Sequence, residues 1–111
     1  MPVLARWIEA AGIPTVTVTM MPSVAEDRMA PRIVGVEFPF GHAFGMPNDR
    51  AMQRLTLELA LRVLAGAARF GTRVDLDVAW PVPIREAYRM WQPKVPSPIV
   101  KKILEAQRTN A

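Results

Sequence analysis

Apolar residues recur along this chain with two different periods, and the switches between them mark out its elements. Val3, Leu4, Trp7, Ile8 and Ala11 fall three and four apart, predicting a helix over 2–11 with Arg6 and Glu9 outward. Pro2 suits its first turn and Gly12 its end. Residues 15–20, TVTVTM, then alternate with a period of two. They predict a strand with Val16, Val18 and Met20 on one side and Thr15, Thr17 and Thr19 on the other. Ser23 and Glu26 have the spacing of a capping box, opening a short helix that runs to about Ala30, where Pro31 stops it. Residues 33–38 form a second strand, an apolar run broken by Gly35 and Glu37, and Gly35 predicts a close approach by a neighbour. The longest helical pattern covers about 49–70. Arg50, Arg54, Glu58 and Arg62 make a narrow polar stripe on it, and almost everything else is apolar. Such a helix is buried on more than one side, which in a chain this short implies a partner surface.

Strands alternating with helices predict an α/β fold: a small, open, mainly parallel sheet flanked by helices, occupying 1–71. Gly71 is the expected end of the long helix. Beyond it, Val74, Leu76 and Val78 alternate briefly before prolines at 81, 83, 93, 96 and 98. Those prolines exclude a central strand and predict that 72–111 is an extended arm, with Trp80, Tyr88 and Trp91 as anchors. A last helix over 98–108 follows, with Ile99, Ile103 and Leu104 opposite Lys101, Lys102 and Glu105.

Composition narrows the function classes. The 111 residues are 50% hydrophobic and 22% charged, ordinary values for a globular domain. No apolar run approaches the ~20 residues of a membrane span, and the N-terminus lacks a secretory signal, so a cytoplasmic protein is expected. With no cysteine, the chain has no disulfide, thiolate metal site or thiol nucleophile of its own, and one histidine makes a zinc site improbable. No cofactor is implied. The net charge of +4 comes from scattered basic residues without interleaved aromatics, which argues against nucleic acid and suits an anionic substrate or acidic partner.

The stretch with the most chemistry is 38–50, FPFGHAFGMPNDR, between the second strand and the long helix, where open α/β sheets place ligands. Gly41 and Gly45 bracket His42, the single histidine, and free the backbone for unusual conformations. Asn48 is the expected helix N-cap, with Asp49 in the first turn. The loop thus offers a titratable imidazole and a row of backbone N–H groups to one small space. The plainer alternative is a glycine-rich turn with a structural histidine.

Two segments, IEAAGIPTVTVT (8–19) and RIVGVEFPFGHAFGMPNDRAMQRL (32–55), resemble the C-terminal part of the glycine, sarcosine, betaine and D-proline reductase selenoprotein B family. The first matches the family's helix end followed by GIPTV and a strand; the second matches its strand, its Gly-His loop and its long helix. The resemblance implies a redox site in which a selenocysteine or cysteine attacks bound substrate during reductive cleavage, often of a C–N bond. That residue belongs to a motif just upstream of the GIPTV helix, a position that falls before Met1. Three explanations stay open: a split enzyme with the nucleophile on a separate chain, a non-catalytic member that kept the fold, or a start recorded downstream of a selenocysteine codon.

The expected function is therefore a subunit or C-terminal segment of a thiol- or selenol-dependent reductase, partnered by a chain bearing the redox residue in a homo- or hetero-oligomer. His42 is then a proton donor or hydrogen-bond donor near the reacting group. The backbone of Gly41 and Gly45 and the N–H groups near Asn48 and Asp49 hold a carboxylate or similar anion of the substrate, with Arg50 or Arg28 adding charge. Thr17 and Thr19, at the end of the first strand, line the same crevice. The rival is an assembly subunit without chemistry, in which the apolar helix and aromatic arm serve oligomerisation.

Overall fold

The computed structural model describes residues 1–91 and 93–109. In order, the elements are α1 (Pro2–Ala10), β1 (Thr17–Thr19), α2 (Pro22–Asp27), β2 (Arg32–Gly35), α3 (Arg50–Gly66), β3 (Thr72–Asp75), α4 (Ile84–Trp91) and α5 (Pro98–Thr109). The three strands form a parallel sheet in the order β1-β2-β3, with Thr17 beside Ile33 and Val34 beside Val74. The α/β fold with an open parallel sheet is the one its sequence pattern predicts.

β2 lies in the middle, and its alternation divides the core in two. Val34, continued by Val36 and Phe38, faces α3 and packs with Met52, Ala60 and Val63. Ile33 faces the other way and packs with Ala25 and Ala30. A central parallel strand is buried on both faces, which is why 33–38 reads as a nearly continuous apolar run. Gly35 lies under α2 and beside β3: a Cβ there would come within 2.2 Å of the Asp75 carboxylate and 3.1 Å of the Pro22 ring. The close approach expected at that glycine is thus present.

Several local readings need correction. Glu9 is not outward. Its carboxylate accepts from the Thr15 N–H at 2.7 Å and from the Thr15 hydroxyl at 3.3 Å, and it pairs with the Arg32 guanidinium. The capping box at Ser23 does not form, because Glu26 turns across the sheet to Arg73 at 3.0 Å and the N-cap is Met21. That helix stops at Asp27, ahead of Met29 in the left-handed region. Gly71 does not cap the long helix, which ends at Gly66. It lies in the turn into β3, where its N–H donates to the Pro31 carbonyl.

The largest difference lies in the proposed arm. Residues 72–75 are the third strand of the sheet, and 84–91 form a helix between the prolines. The prolines lie outside both elements, so they shape the connections without interrupting a strand. Trp80 docks on the core, 5.4 Å from Phe38 ring to ring, and Tyr88 lies 6.5 Å from Phe40. The side chain of Trp91 lies outside the described part.

β3 is tied to α2 by charge. Arg73 donates to both carboxylate oxygens of Asp75 at 2.9 and 3.0 Å and to Glu26 at 3.0 Å. The bonds to Asp75, then to Glu26, hold the guanidinium charged more firmly than usual, and the bond from Arg73 draws the Asp75 carboxyl below its ordinary range. A carboxyl lowered in the folded state stabilises the fold above the unfolded titration range, and that contribution is lost as pH falls through the lowered value.

Two outcomes are expected. In an NMR titration Asp75 protonates at lower pH than an ordinary aspartate, and Arg73→Gln moves it back upward; an unmoved titration in the variant would show the pair to be incidental. Glu9→Gln leaves the Arg32 guanidinium, about one-fifth exposed with its Nε buried and unpartnered, without its counter-charge. Loss of a charged hydrogen-bond acceptor costs about 2 kcal/mol, to be read as a lower urea midpoint with unchanged slope. A midpoint equal to the parent's would refute the role assigned to Glu9.

Candidate functional site

The connection from β2 to α3 is a chain of tight turns. The His42 N–H donates to the Pro39 carbonyl at 3.1 Å, Gly45 to His42 at 3.0 Å, and Asp49 to Met46 at 3.2 Å. Gly41 and Gly45 have φ of 89° and 104°, a region that disfavours side chains, and a Cβ at Gly45 would come within 2.6 Å of the Met52 side chain. The loop therefore needs both glycines. Asp49, rather than Asn48, is the N-cap of α3, its carboxylate accepting from the Met52 N–H at 3.0 Å. Asn48 takes a left-handed φ of 65°, which asparagine tolerates, and swings the chain into the helix.

His42 is half-buried with its ring 5.5 Å from that of Trp80. Trp80 in turn stacks obliquely on Phe38, so the imidazole is carried on an aromatic column rooted in the core.

The principal cavity lies at the carboxyl ends of the strands, where open α/β sheets present their ligand sites. It is a crevice of about 660 Å³. Met20, Val36 and Leu76, each just beyond a strand, contribute to its lining, and Phe40 with Tyr88 makes an aromatic wall. Glu37, Asp75 and Asp77 place three carboxylates on it against the guanidinium of Arg73, which Asp75 and Glu26 already engage. The lining thus favours a ligand with an apolar body and a positively charged group.

None of the nine residues singled out from the sequence lines this crevice. Thr19 precedes the lining residue Met20 and Gly41 follows the lining residue Phe40, while the His42 ring packs against Trp80, which follows the lining residue Ala79. Gly45 lies against Met52, and Asp49 is spent on the helix cap. Arg50 lines a shallow groove with Phe44 and Leu57. Thr17 is buried in a different groove between α1 and β1, and the Thr19 hydroxyl accepts from the Met21 N–H at 3.0 Å. Arg28 is exposed at the end of α2. The carboxylates that do line the crevice had a signal in VDLDV, where Asp75 and Asp77 alternate with apolar residues. That signal needed β3 to be placed in the sheet first.

Among the described residues, no three or more His, Asp or Glu side chains converge to hold a metal, and no helix is long and apolar enough to cross a membrane.

No protein-family profile matches the chain, and no solved structure matches it. Over 74 residues, 67% of its length, it is 32% identical to D-proline reductase subunit gamma of Acetoanaerobium sticklandii. The matched stretch covers 31% of that subunit. The chain is thus related in sequence to a reductase subunit and spans about a third of that relative's length.

Proposed function

We propose that this chain is a subunit or segment of a cytoplasmic thiol- or selenol-dependent reductase of the D-proline reductase type, with the nucleophile supplied by another polypeptide or segment. The observation that carries this reading is the 74-residue similarity to a D-proline reductase subunit. The crevice supports it. D-Proline, the compound in that relative's name, has a secondary ammonium group and an apolar ring, which suit the carboxylates of Glu37, Asp75 and Asp77 and the wall of Phe40 and Tyr88.

In the reaction, a selenolate or thiolate from the partner forms a bond to the substrate carbon. The electron pair of the C–N bond leaves with nitrogen, and nitrogen takes a proton; a second thiol of the partner then attacks the carbon-bound selenium or sulfur, forming a selenenyl sulfide or disulfide, while the carbon leaves with the electron pair and takes a proton. His42 is the proton source in this reading, since imidazole is the side chain most often used for general acid–base work and this one packs against Trp80, the residue after the lining residue Ala79. Gly41 and Gly45 hold the loop in shape, while Asn48, Asp49, Arg50, Arg28, Thr17 and Thr19 are assigned substrate contacts only in the assembled enzyme.

A second reading, an assembly subunit without chemistry, is favoured by one observation: α5 buries no residue, leaving Ile99, Val100, Ile103 and Leu104 between 42% and 69% exposed. His42→Ala separates the two. In the assembled complex the variant is expected to lose about 100-fold in turnover while the complex still forms and the chain's melting temperature is retained. Full turnover in the variant would leave His42 structural and favour the assembly subunit.

A further inference from the structure

The two edges of the sheet differ in chemistry, and the difference indicates where it continues. The register pairs Thr17 with Ile33 and Thr19 with Gly35, and the Val36 N–H donates to the Thr19 carbonyl. Backbone groups of one strand residue point to the same side, so Thr17 and Thr19 face β2 while those of Val16 and Val18 face outward. On the far edge, the Leu76 N–H donates to the Gly35 carbonyl, which by the same logic turns the backbones of Arg73 and Asp75 outward.

The β3 edge is defended. Arg73, Asp75 and the adjoining Glu26 cluster charge there, a device that discourages another strand from adding. The β1 edge has no such defence: residues 15–20 carry no charge. Beside it runs a groove of about 290 Å³ lined by Leu4 and Ile8 of α1, by Val16 and Val18, and by Phe44 of the loop. The groove is mainly apolar, Leu4 and Phe44 are about half exposed, and outward backbone donors and acceptors lie along its side. Three strands are also fewer than a parallel sheet usually contains.

We infer that the β1 edge receives an extended, uncharged segment of the partner polypeptide. That segment hydrogen-bonds to the outward backbone groups of Val16 and Val18 and places alternate apolar side chains between α1 and Phe44. The inference rests on the reading of the chain as part of a larger reductase and specifies how the missing part attaches. The relative has more than two-thirds of its length outside the matched stretch, enough chain to supply the strand.

Deuterium exchange tests this without measuring activity. The chain is labelled alone, after recombinant expression, and again in the assembly purified natively from its source. The amides of Val16 and Val18 should slow by about 100-fold on assembly, with those of Arg73 and Asp75 unchanged, because a paired edge amide exchanges only on local opening. Fast exchange of Val16 and Val18 in the assembly would overturn the inference. So would a chain that comes from its source without a partner, or protection already present in the recombinant chain running as a dimer, which would assign the edge to a second copy. Val18→Pro removes one outward N–H while sparing the bonds to β2, and is expected to weaken assembly at least tenfold; if it does not fold, exchange in the unaltered protein still decides. A full-turnover His42→Ala with Val16 and Val18 protected would reject the catalytic reading and keep the strand.

Discussion

The Glu9 carboxylate holds together three parts of the chain that the sheet alone does not join. It accepts from the N–H of Thr15, where the chain enters β1, and it neutralises Arg32, where the chain enters β2. Glu9 itself sits at the end of α1, so one side chain fixes a helix against the starts of two neighbouring parallel strands. Parallel strands have no hairpin to set their register; the connections and side-chain ties must do it. Here the tie at the amino ends is Glu9 with Arg32, and Arg73 with Glu26 and Asp75 links α2 to the other edge strand.

Beyond the carboxyl ends of the strands lies the crevice. The crevice arises there because β2 leads into the turns of 36–49 and β3 into the stretch that carries Trp80, so two connections rise from adjacent strands and meet through aromatic rings. Phe38 is buried under Trp80, and Phe40, two residues on, reaches Tyr88. The period of two in β2 thus continues beyond Gly35 and carries Val36 and Phe38 into the same core as Val34.

Much of this was legible in the sequence where one local force decides the outcome. The periodicity of 2–11, the alternation of 15–20, the apolar run of 33–38 and the polar stripe of the long helix each placed an element correctly, because each pattern is set by the local period of the chain. The failures share a cause. Glu9 and Glu26 look like solvent-facing or capping residues in their own helices, and their partners, Arg32 and Arg73, lie 23 and 47 positions away. β3 was obscured because its apolar residues are few and prolines follow soon after, so only the position of β2 beside it reveals it as a strand. The crevice depended on β3, and so its carboxylates could not be read until the sheet was built. His42 stood out by composition, yet its neighbour Trp80 is 38 residues on, beyond the reach of any loop motif.

The shape of the chain bears on both readings of its role. A compact chain of this length has a radius of gyration of about 13 Å, whereas this one has 17.8 Å and extends 57 × 31 × 19 Å. The excess length coincides with surface a lone domain would bury: α5 without a buried residue, Trp7 of α1 at 75% exposure, and Leu55, Leu57 and Leu61 of α3 near one-half. Meanwhile the stripe of Met52, Thr56, Ala60 and Val63 on α3 is fully packed, so the helix is half satisfied by its own sheet and half open. The same partner that covers α1 beside the β1 edge would lie across Phe44, at the far end of the turns that carry His42. In the proposed assembly, attachment and chemistry would be coupled through one loop: a partner seated on the undefended edge would contact the segment whose other end lines the crevice at Glu37, Phe38 and Phe40.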